Sequence, residues 1–298
     1  LPRLVWHLED LRVGMSYPSY YISRLASKFV KVCLQGTGGD ELFGGYPWRY
    51  YKVFDSISQK DFFDQYYDFW QRLVPDQQKE ELFTDEVLDK IDINEPRRVF
   101  ERVFTFNDKL KYRTPEEHIN NSLYFEIKTF LPGLFLVGDK LAMAHGLEER
   151  FPFMDNDLVD FAMKVPIKHK LGNLTKEISK IDENETFKNK KSMSYREFDD
   201  GKNVLRKAMS DFIPDEIINR KKQGFSAPDE SWYRGENAKY IKELMLSPNT
   251  ISTKYINKSY INKIVKEHLD EGINHRLLIW SFMNFEWWCK IFLNNEKI

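Results

Sequence analysis

The chain has 298 residues, of which 42% are hydrophobic, enough to bury one large core or two smaller ones. It carries 45 Lys plus Arg against 46 Asp plus Glu, and the net charge of −1 gives no electrostatic ground for nucleic acid or an anionic membrane as partner. No apolar run reaches the ~20 residues a helix needs to cross a bilayer, and Cys33 and Cys289 form no Cys-x-x-Cys, which argues against a disulfide framework or structural zinc site and makes a reducing cytoplasm the expected location.

Residues 1–8, from Leu1 to Leu8, carry apolar residues at helical spacing without the charged start or small-residue cleavage site of a signal peptide. They read as the middle of a domain, so a fragment or a processed chain is expected. A helix is predicted over Pro18 to Ser27 and a strand over Val30 to Leu34, followed by a glycine-rich turn. Beyond Tyr46 the spacing i, i+3, i+4, i+7 predicts helices near 48–57, 59–73, 77–90, 95–111 and 115–130. Pro132 is expected to open a helix that runs to about His145. Asn156 or Asp157 is expected to cap a helix that Pro166 ends.

Residues 171–203, with Gly172-Asn173, a lysine cluster and Asp199-Asp200-Gly201, are expected to be mobile. Helices are then predicted at 202–210, 214–219, 229–234, 237–246, 258–270 and 274–293. The last is apolar on nearly all sides and should be buried. The aromatic content of 15% is read as core packing. The expected fold is mainly α: residues 1–46 as the remnant of an α/β nucleotide-binding core with one or two strands, and 47–298 as a large helical part.

Three segments combine glycine, charge and aromatic residues in ways that core packing does not require. In the first, Gly36 to Tyr46, a strand ends in a glycine-rich turn that opens a helix. Such a turn presents free backbone N–H groups suited to a phosphate, and Asp40 would suit its magnesium. The stretch fits neither G-x-x-x-x-G-K-[ST] nor G-x-G-x-x-G. In the second, Gly138 to Asp155, the charges Asp139, Glu148, Arg150 and Asp155 lie among apolar residues, and Arg150 could bridge two carboxylates. That segment reads equally as an ion-pair network bracing a helix–loop–helix and as part of a site. In the third, Asn219 to Pro228, Arg220, Lys221 and Lys222 fall on a loop constrained by Gly224 and Pro228, an arrangement that suits a polyphosphate leaving group and reads also as a solvated basic turn. His145 reads as structural, and the remaining histidines have no metal-ligand spacing.

Together these segments resemble the C-terminal synthetase domain of the glutamine-hydrolysing asparagine synthetase family. That family has Ser-Gly-Glu-Gly-[Ser/Gly]-Asp-Glu-[Leu/Val]-Phe-Gly-Gly-Tyr where this chain has Gln35 to Tyr46. In the second segment Asp139, Met143, Ala144, Gly146, Leu147, Glu148, Arg150, Pro152, Phe153 and Asp155 fall in register with the family's pattern. Arg220 to Pro228 matches its Arg-Lys-Lys-x-Gly-Phe-x-x-Pro loop. The resemblance spans essentially the whole chain and implies the C-terminal portion of an α/β adenine-nucleotide α-hydrolase-like domain.

The resemblance also implies a reaction: ATP, with Mg2+, activates a carboxylate, usually aspartate, as an acyl-adenylate with release of pyrophosphate. Ammonia from a separate N-terminal glutaminase domain then forms the amide. On this view Lys222 and Thr37 hold the catalytic positions. Gly36, Gly38, Gly39, Asp40 and Lys221 bind ATP and pyrophosphate, with Asp40 on the metal. Glu41, Asp139, Glu148 and Arg150 line or brace the substrate wall. The implied partners are the small carboxylate, ammonia, the glutaminase domain and the pyrophosphate-loop segment, and a homodimer is compatible with them.

The family's Ser-Gly-Gly-x-Asp-Ser pyrophosphate loop does not occur in residues 1–298. A chain of these residues alone is therefore expected neither to hydrolyse glutamine nor to bind ATP tightly. Within the motifs, Thr37 stands where the best-known members carry Glu, and Gln35, Lys140 and Ala142 replace Ser, Arg and Ser. Threonine cannot serve as a base near neutral pH, so these departures leave two alternatives open: the same chemistry on another carboxylate, by an amidotransferase or cyclising synthetase, or a catalytically retired helical interaction module.

Overall fold

The computed structural model describes residues 1–11, 16–172, 201–220, 233–235 and 237–297. Pro2 in the first turn opens α1 (Pro2–Leu8), and α2 (Tyr17–Ala26) leads into β1 (Val32–Leu34). The strand is two residues shorter than expected: Val30 closes the end of α2 by donating its N–H to Ala26 O. The glycine turn follows, then α3 (Gly39–Phe43) and α4 (Pro47–Tyr50).

Next come α5 (Gln59–Trp70), the short α6 (Lys79–Leu82) and α7 (Asp85–Leu88), α8 (Glu95–Thr105), α9 (Pro115–Lys128) and α10 (Phe130–Met143). The expected helix at 77–90 is broken at Phe83, which forms an antiparallel bridge with Ile256. α10 starts at Phe130, so Pro132 lies within its first turn, where a missing N–H costs nothing. β2 (Glu148–Arg150) follows, then α11 (Asn156–Lys164), α12 (Ile167–Lys170), α13 (Asn203–Ala208) and α14 (Asp215–Ile218). The cap of α11 is Asp155 rather than Asn156 or Asp157: its Oδ1 accepts from the N–H groups of Asp157 and Leu158. α15 (Asn237–Met245), α16 (Lys258–Leu269) and α17 (Arg276–Trp288) complete the chain, α17 passing into a π turn over Cys289–Leu293. No helix among the described residues is long and apolar enough to cross a membrane.

β1 and β2 form a two-stranded parallel sheet in the register Val32 to Glu148, Cys33 to Glu149 and Leu34 to Arg150. Cys33 and Glu149 turn toward the interior while Val32, Leu34, Glu148 and Arg150 face outward. Leu34 is 73% exposed and the nearby Phe29 79%. Parallel sheets are ordinarily covered on both faces; here one face stays open.

The largest core cluster joins Leu4 and Leu8 of α1 to Leu141, Ile241, Ile261, Ile279 and Phe282 of the later helices. α17 contributes seven buried residues, as its uniformly apolar sequence predicts. A second cluster is aromatic. Phe62, Phe63 and Tyr66 of α5 meet Phe100 and Phe104 of α8 and Phe125 of α9, with Phe104 stacked on Phe125 at 5.4 Å. The aromatic residues here are core. Beneath α3, Leu42 and Phe43 pack with Ala162, Phe153 and Met154.

Candidate functional site

The glycine turn sits at the C-terminal end of β1, the end of a parallel strand where ligands bind in α/β folds. Gln35 extends the ladder by donating its N–H to Arg150 O at 2.8 Å. The turn closes through Gly39 N–H on Gly36 O at 3.3 Å, and α3 begins with Leu42 N–H on Gly38 O at 3.0 Å. Gly38 has φ +99°, a conformation that favours glycine. A Cβ on Gly38 would lie 2.5 Å from the Met154 methyl, and one on Gly39 3.2 Å from the Phe153 ring, so both glycines serve close packing on the turn after β2. Gly36 has nothing within 4 Å of its missing Cβ and leaves the turn open on that side.

Asp40 lies in the first turn of α3. Its Oδ1 is 2.8 Å from Lys202 Nζ. Lys202 is held there by its own backbone: its N–H donates to Phe43 O at 3.0 Å, and its φ of +61° is a left-handed conformation costly for a residue with a side chain. A Cβ on Gly201 would come 2.2 Å from Gly44 O, so a glycine is needed where the chain crosses α3. Gly45 lies equally close to Asp40: a Cβ there would sit 1.9 Å from Asp40 Oδ1.

Lys202 caps α13, and Arg206 on the same helix carries the contact onward. Its guanidinium donates to Gly201 O at 3.1 Å, to Ile218 O and to Arg220 O at 3.4 Å. One short helix thus joins the Asp40 turn to the root of the basic segment. Lys221 and Lys222 themselves lie outside the described residues, as do most of the expected mobile stretch at 171–203 and most of the helix at 229–234. Sequence reasoning missed Lys202; its only signal was a lysine directly after Gly201.

Glu41 is buried on the inner side of α3. Burial, and after it the charges of Glu41 and Asp40, hold the Tyr46 hydroxyl far above its usual range, so Tyr46 stays protonated. Behind it Arg49 and Glu126 form a buried ion pair at 3.5 Å, with Arg49 over the Tyr46 ring at 3.9 Å and Tyr50 Oη donating to Glu126 Oε2 at 3.1 Å.

The second segment differs from expectation. Rather than a helix–loop–helix with buried charges, it is a helix, a strand and a 3-10 turn over Pro152–Met154. Asp139, Glu148, Arg150 and Asp155 are all exposed. Arg150 bridges no pair of buried carboxylates; its one ion pair among the described residues is with Glu148, at 3.8 Å in solvent. The inward carboxylate is Glu149, which alternation along β2 turns toward α10. Its Oε1 accepts from Gln35 Nε2, and Thr37 Oγ1 donates to Gln35 Oε1 at 3.4 Å. Burial first, and then the charge of Asp139, raise the Glu149 pKa, while the Gln35 bond opposes them. His145 stacks edge-on against Tyr20 at 4.4 Å, and burial lowers its pKa, leaving it a neutral packing residue.

Among the described residues no three His, Cys, Asp or Glu side chains converge as a metal cage. Asp40 would be a single protein carboxylate, which suits magnesium that keeps its waters and shares phosphate oxygens.

The Asparagine synthase family model matches residues 1–290. The chain belongs to the asparagine synthase family. Asparagine synthetase [glutamine-hydrolyzing] 1 of Bacillus subtilis is 27% identical across the whole chain. A putative asparagine synthetase [glutamine-hydrolyzing] of Mycobacterium tuberculosis H37Rv is 23% identical, also across the whole chain. Amidase chry2 of Gibberella zeae is 31% identical over 44% of the chain. The chain spans 46% of the Bacillus protein and 45% of the Mycobacterium protein, less than half of either.

Proposed function

We propose that this chain is the larger part of the synthetase domain of an ATP-dependent amide-forming ligase. In this reading ATP activates a carboxylate, aspartate in the simplest case, as an acyl-adenylate with release of pyrophosphate, and ammonia from an upstream glutaminase domain then gives the amide. The observation that carries it is the Asp40–Lys202 pair at 2.8 Å beside the glycine turn, with the root of the Lys221–Lys222 segment bound to the same helix as Lys202. Family membership and the Bacillus relative's name support it.

Each residue has a task in this reading. The open side of Gly36 admits the substrate against the turn. Asp40 would hold Mg2+, which when bound supplies charge neutralisation on the phosphates. Lys202 keeps the Asp40 carboxyl aimed along one direction, and Lys222, with Lys221, offsets the charge that grows on the leaving pyrophosphate. Tyr46, kept protonated, and the Arg49–Glu126 pair make the wall behind α3 rigid.

The open face of the β1–β2 sheet, with Leu34 and Phe29 in solvent, supports a further part of the reading. A preceding segment of a longer protein, carrying the pyrophosphate loop, would cover that face and complete the nucleotide site. A second substrate reading rests on Gln35 and Thr37, which depart from the family pattern: a carboxylate other than aspartate.

The deciding experiment is a pyrophosphate-release assay on the whole protein with ATP, ammonia and a panel of carboxylic acids. Release with aspartate supports the first substrate, and release only with another acid supports the second. Silence with all of them removes the ligase reading. In the same assay Lys222→Ala should lower turnover by orders of magnitude with the fold intact; near-normal turnover would take Lys222 out of the mechanism.

A further inference from the structure

Glu149 has no evident structural purpose. Its Oε2 is buried and without a hydrogen-bond partner among the described residues. Gly138 on α10 leaves the room for it, since a Cβ there would be 2.7 Å away. A half-satisfied carboxylate is costly. An apolar side chain would fill the same space without that cost, so packing against α10 does not account for it.

We propose that Glu149 and Gln35 are positioning residues for amide formation: a hydrogen-bonded relay from Glu149 through Gln35 sets the direction of the Thr37 hydroxyl. The proposal rests on the ligase reading above and deepens it. Gln35 lies two residues beyond Cys33, which pairs with Glu149, so strand alternation places both side chains on the α10 side. An ionised carboxylate can only accept hydrogen bonds, so the Gln35 amide must turn its Nε2 to Glu149. Its carbonyl then faces Thr37, and Thr37 must donate to it. The hydroxyl hydrogen is spent on Gln35, and the Thr37 lone pairs stay free for a donor at the turn.

That donor is the N–H of the attacking ammonia. Thr37 does not take the proton; it orients the nitrogen. The nitrogen lone pair forms the C–N bond, the acyl C–O bond breaks, AMP leaves with that electron pair, and the surplus nitrogen proton passes to solvent. The titratable groups that face Glu149 are Asp139 on α10 and Cys33 on β1. A protonated Glu149 would let the Gln35 amide turn over and release the hydroxyl hydrogen toward the site. Amide formation should therefore carry a pH limb that a glutamine at 149 removes.

The test is a double-mutant cycle in the whole protein with Glu149→Gln, Thr37→Val and both together. The pre-steady-state burst of pyrophosphate, which reads adenylation, and the steady-state rate of amide formation from added ammonia are measured across pH. Each single change should lower kcat for amide formation about tenfold, the worth of one oriented hydrogen bond, with KM for ATP unchanged. The double variant should be no slower than Thr37→Val alone, and the pH limb should vanish in Glu149→Gln. Gln35→Leu cuts the same link elsewhere and must show the same coupling, which guards against a misfolded Glu149 variant.

Losses that multiply in the double variant, no loss in Glu149→Gln or in Thr37→Val, or an equal fall in the rate of the pyrophosphate burst would each overturn the relay while leaving the ligase reading standing. A wild-type protein silent with every acid overturns the ligase reading, and the relay's role falls with it.

Discussion

Lys202 Nζ lies 2.8 Å from Asp40 Oδ1, although the two residues are separated by most of the helical part of the chain. The contact depends on a left-handed Lys202 and on the backbone bond from Lys202 to Phe43. Asp40→Asn keeps the shape and removes the charge. It should lower pyrophosphate release by roughly two orders of magnitude and raise the magnesium concentration needed for half-maximal rate, as a Mg2+ titration of the whole protein would read. An unchanged magnesium requirement would remove Asp40 as the metal ligand.

Gly45 guards the same carboxyl. Gly45→Ala would put a methyl 1.9 Å from Asp40 Oδ1, so the carboxyl must swing out of place. Turnover should fall to near that of Asp40→Asn, while the melting temperature falls by only a few degrees (about 1 kcal/mol). Retained turnover would show that the Asp40 position does not matter for the reaction.

The wall behind α3 is predicted to be a stability element. Glu126 is fully buried, and removing it takes one carboxylate partner from Arg49, which packs against Tyr46, Trp70 and Phe130. Glu126→Ala should destabilise by about 3–5 kcal/mol, as for one partner of a buried ion pair, readable in urea denaturation. Adding Arg49→Met should recover part of that loss, because the buried cation that lost its Glu126 partner is replaced by an apolar side chain.

His268 makes the protein acid-sensitive. Burial first, then Arg234 and His275, lower its pKa from 6.5 to about 4. Its Nδ1 accepts the His275 N–H at 3.0 Å, which a neutral ring can do and a protonated one cannot. The unfolded chain takes up the proton first as pH falls, so this contribution is whole above about pH 6.5 and is lost between there and about 4. The loss should be on the order of 3 kcal/mol. His268→Asn retains an acceptor for the His275 N–H without titrating, and should flatten that part of the stability profile.

Much of the architecture was legible in the residues themselves. The apolar spacing marked α5, α8 and α9, because a helix that buries one stripe must repeat it every turn. The glycine turn was legible because a strand, a positive φ at Gly38 and a helix start leave few other sequences. β2 was not legible. Glu148-Glu149-Arg150 has little strand propensity, and it is a strand because its backbone pairs with Val32–Leu34.

The chain by itself determined the elements whose cause is local: helices from periodicity, the glycine turn from residue type, and the position of Asp40 behind its glycines. Only the tertiary structure decided which charges meet. Strand alternation turned Glu149 inward and left Glu148 and Arg150 in water. A crossing at Gly201 brought Lys202 to Asp40. Both depend on backbone contacts between segments distant in sequence, for which the order of residues carries no periodic signal.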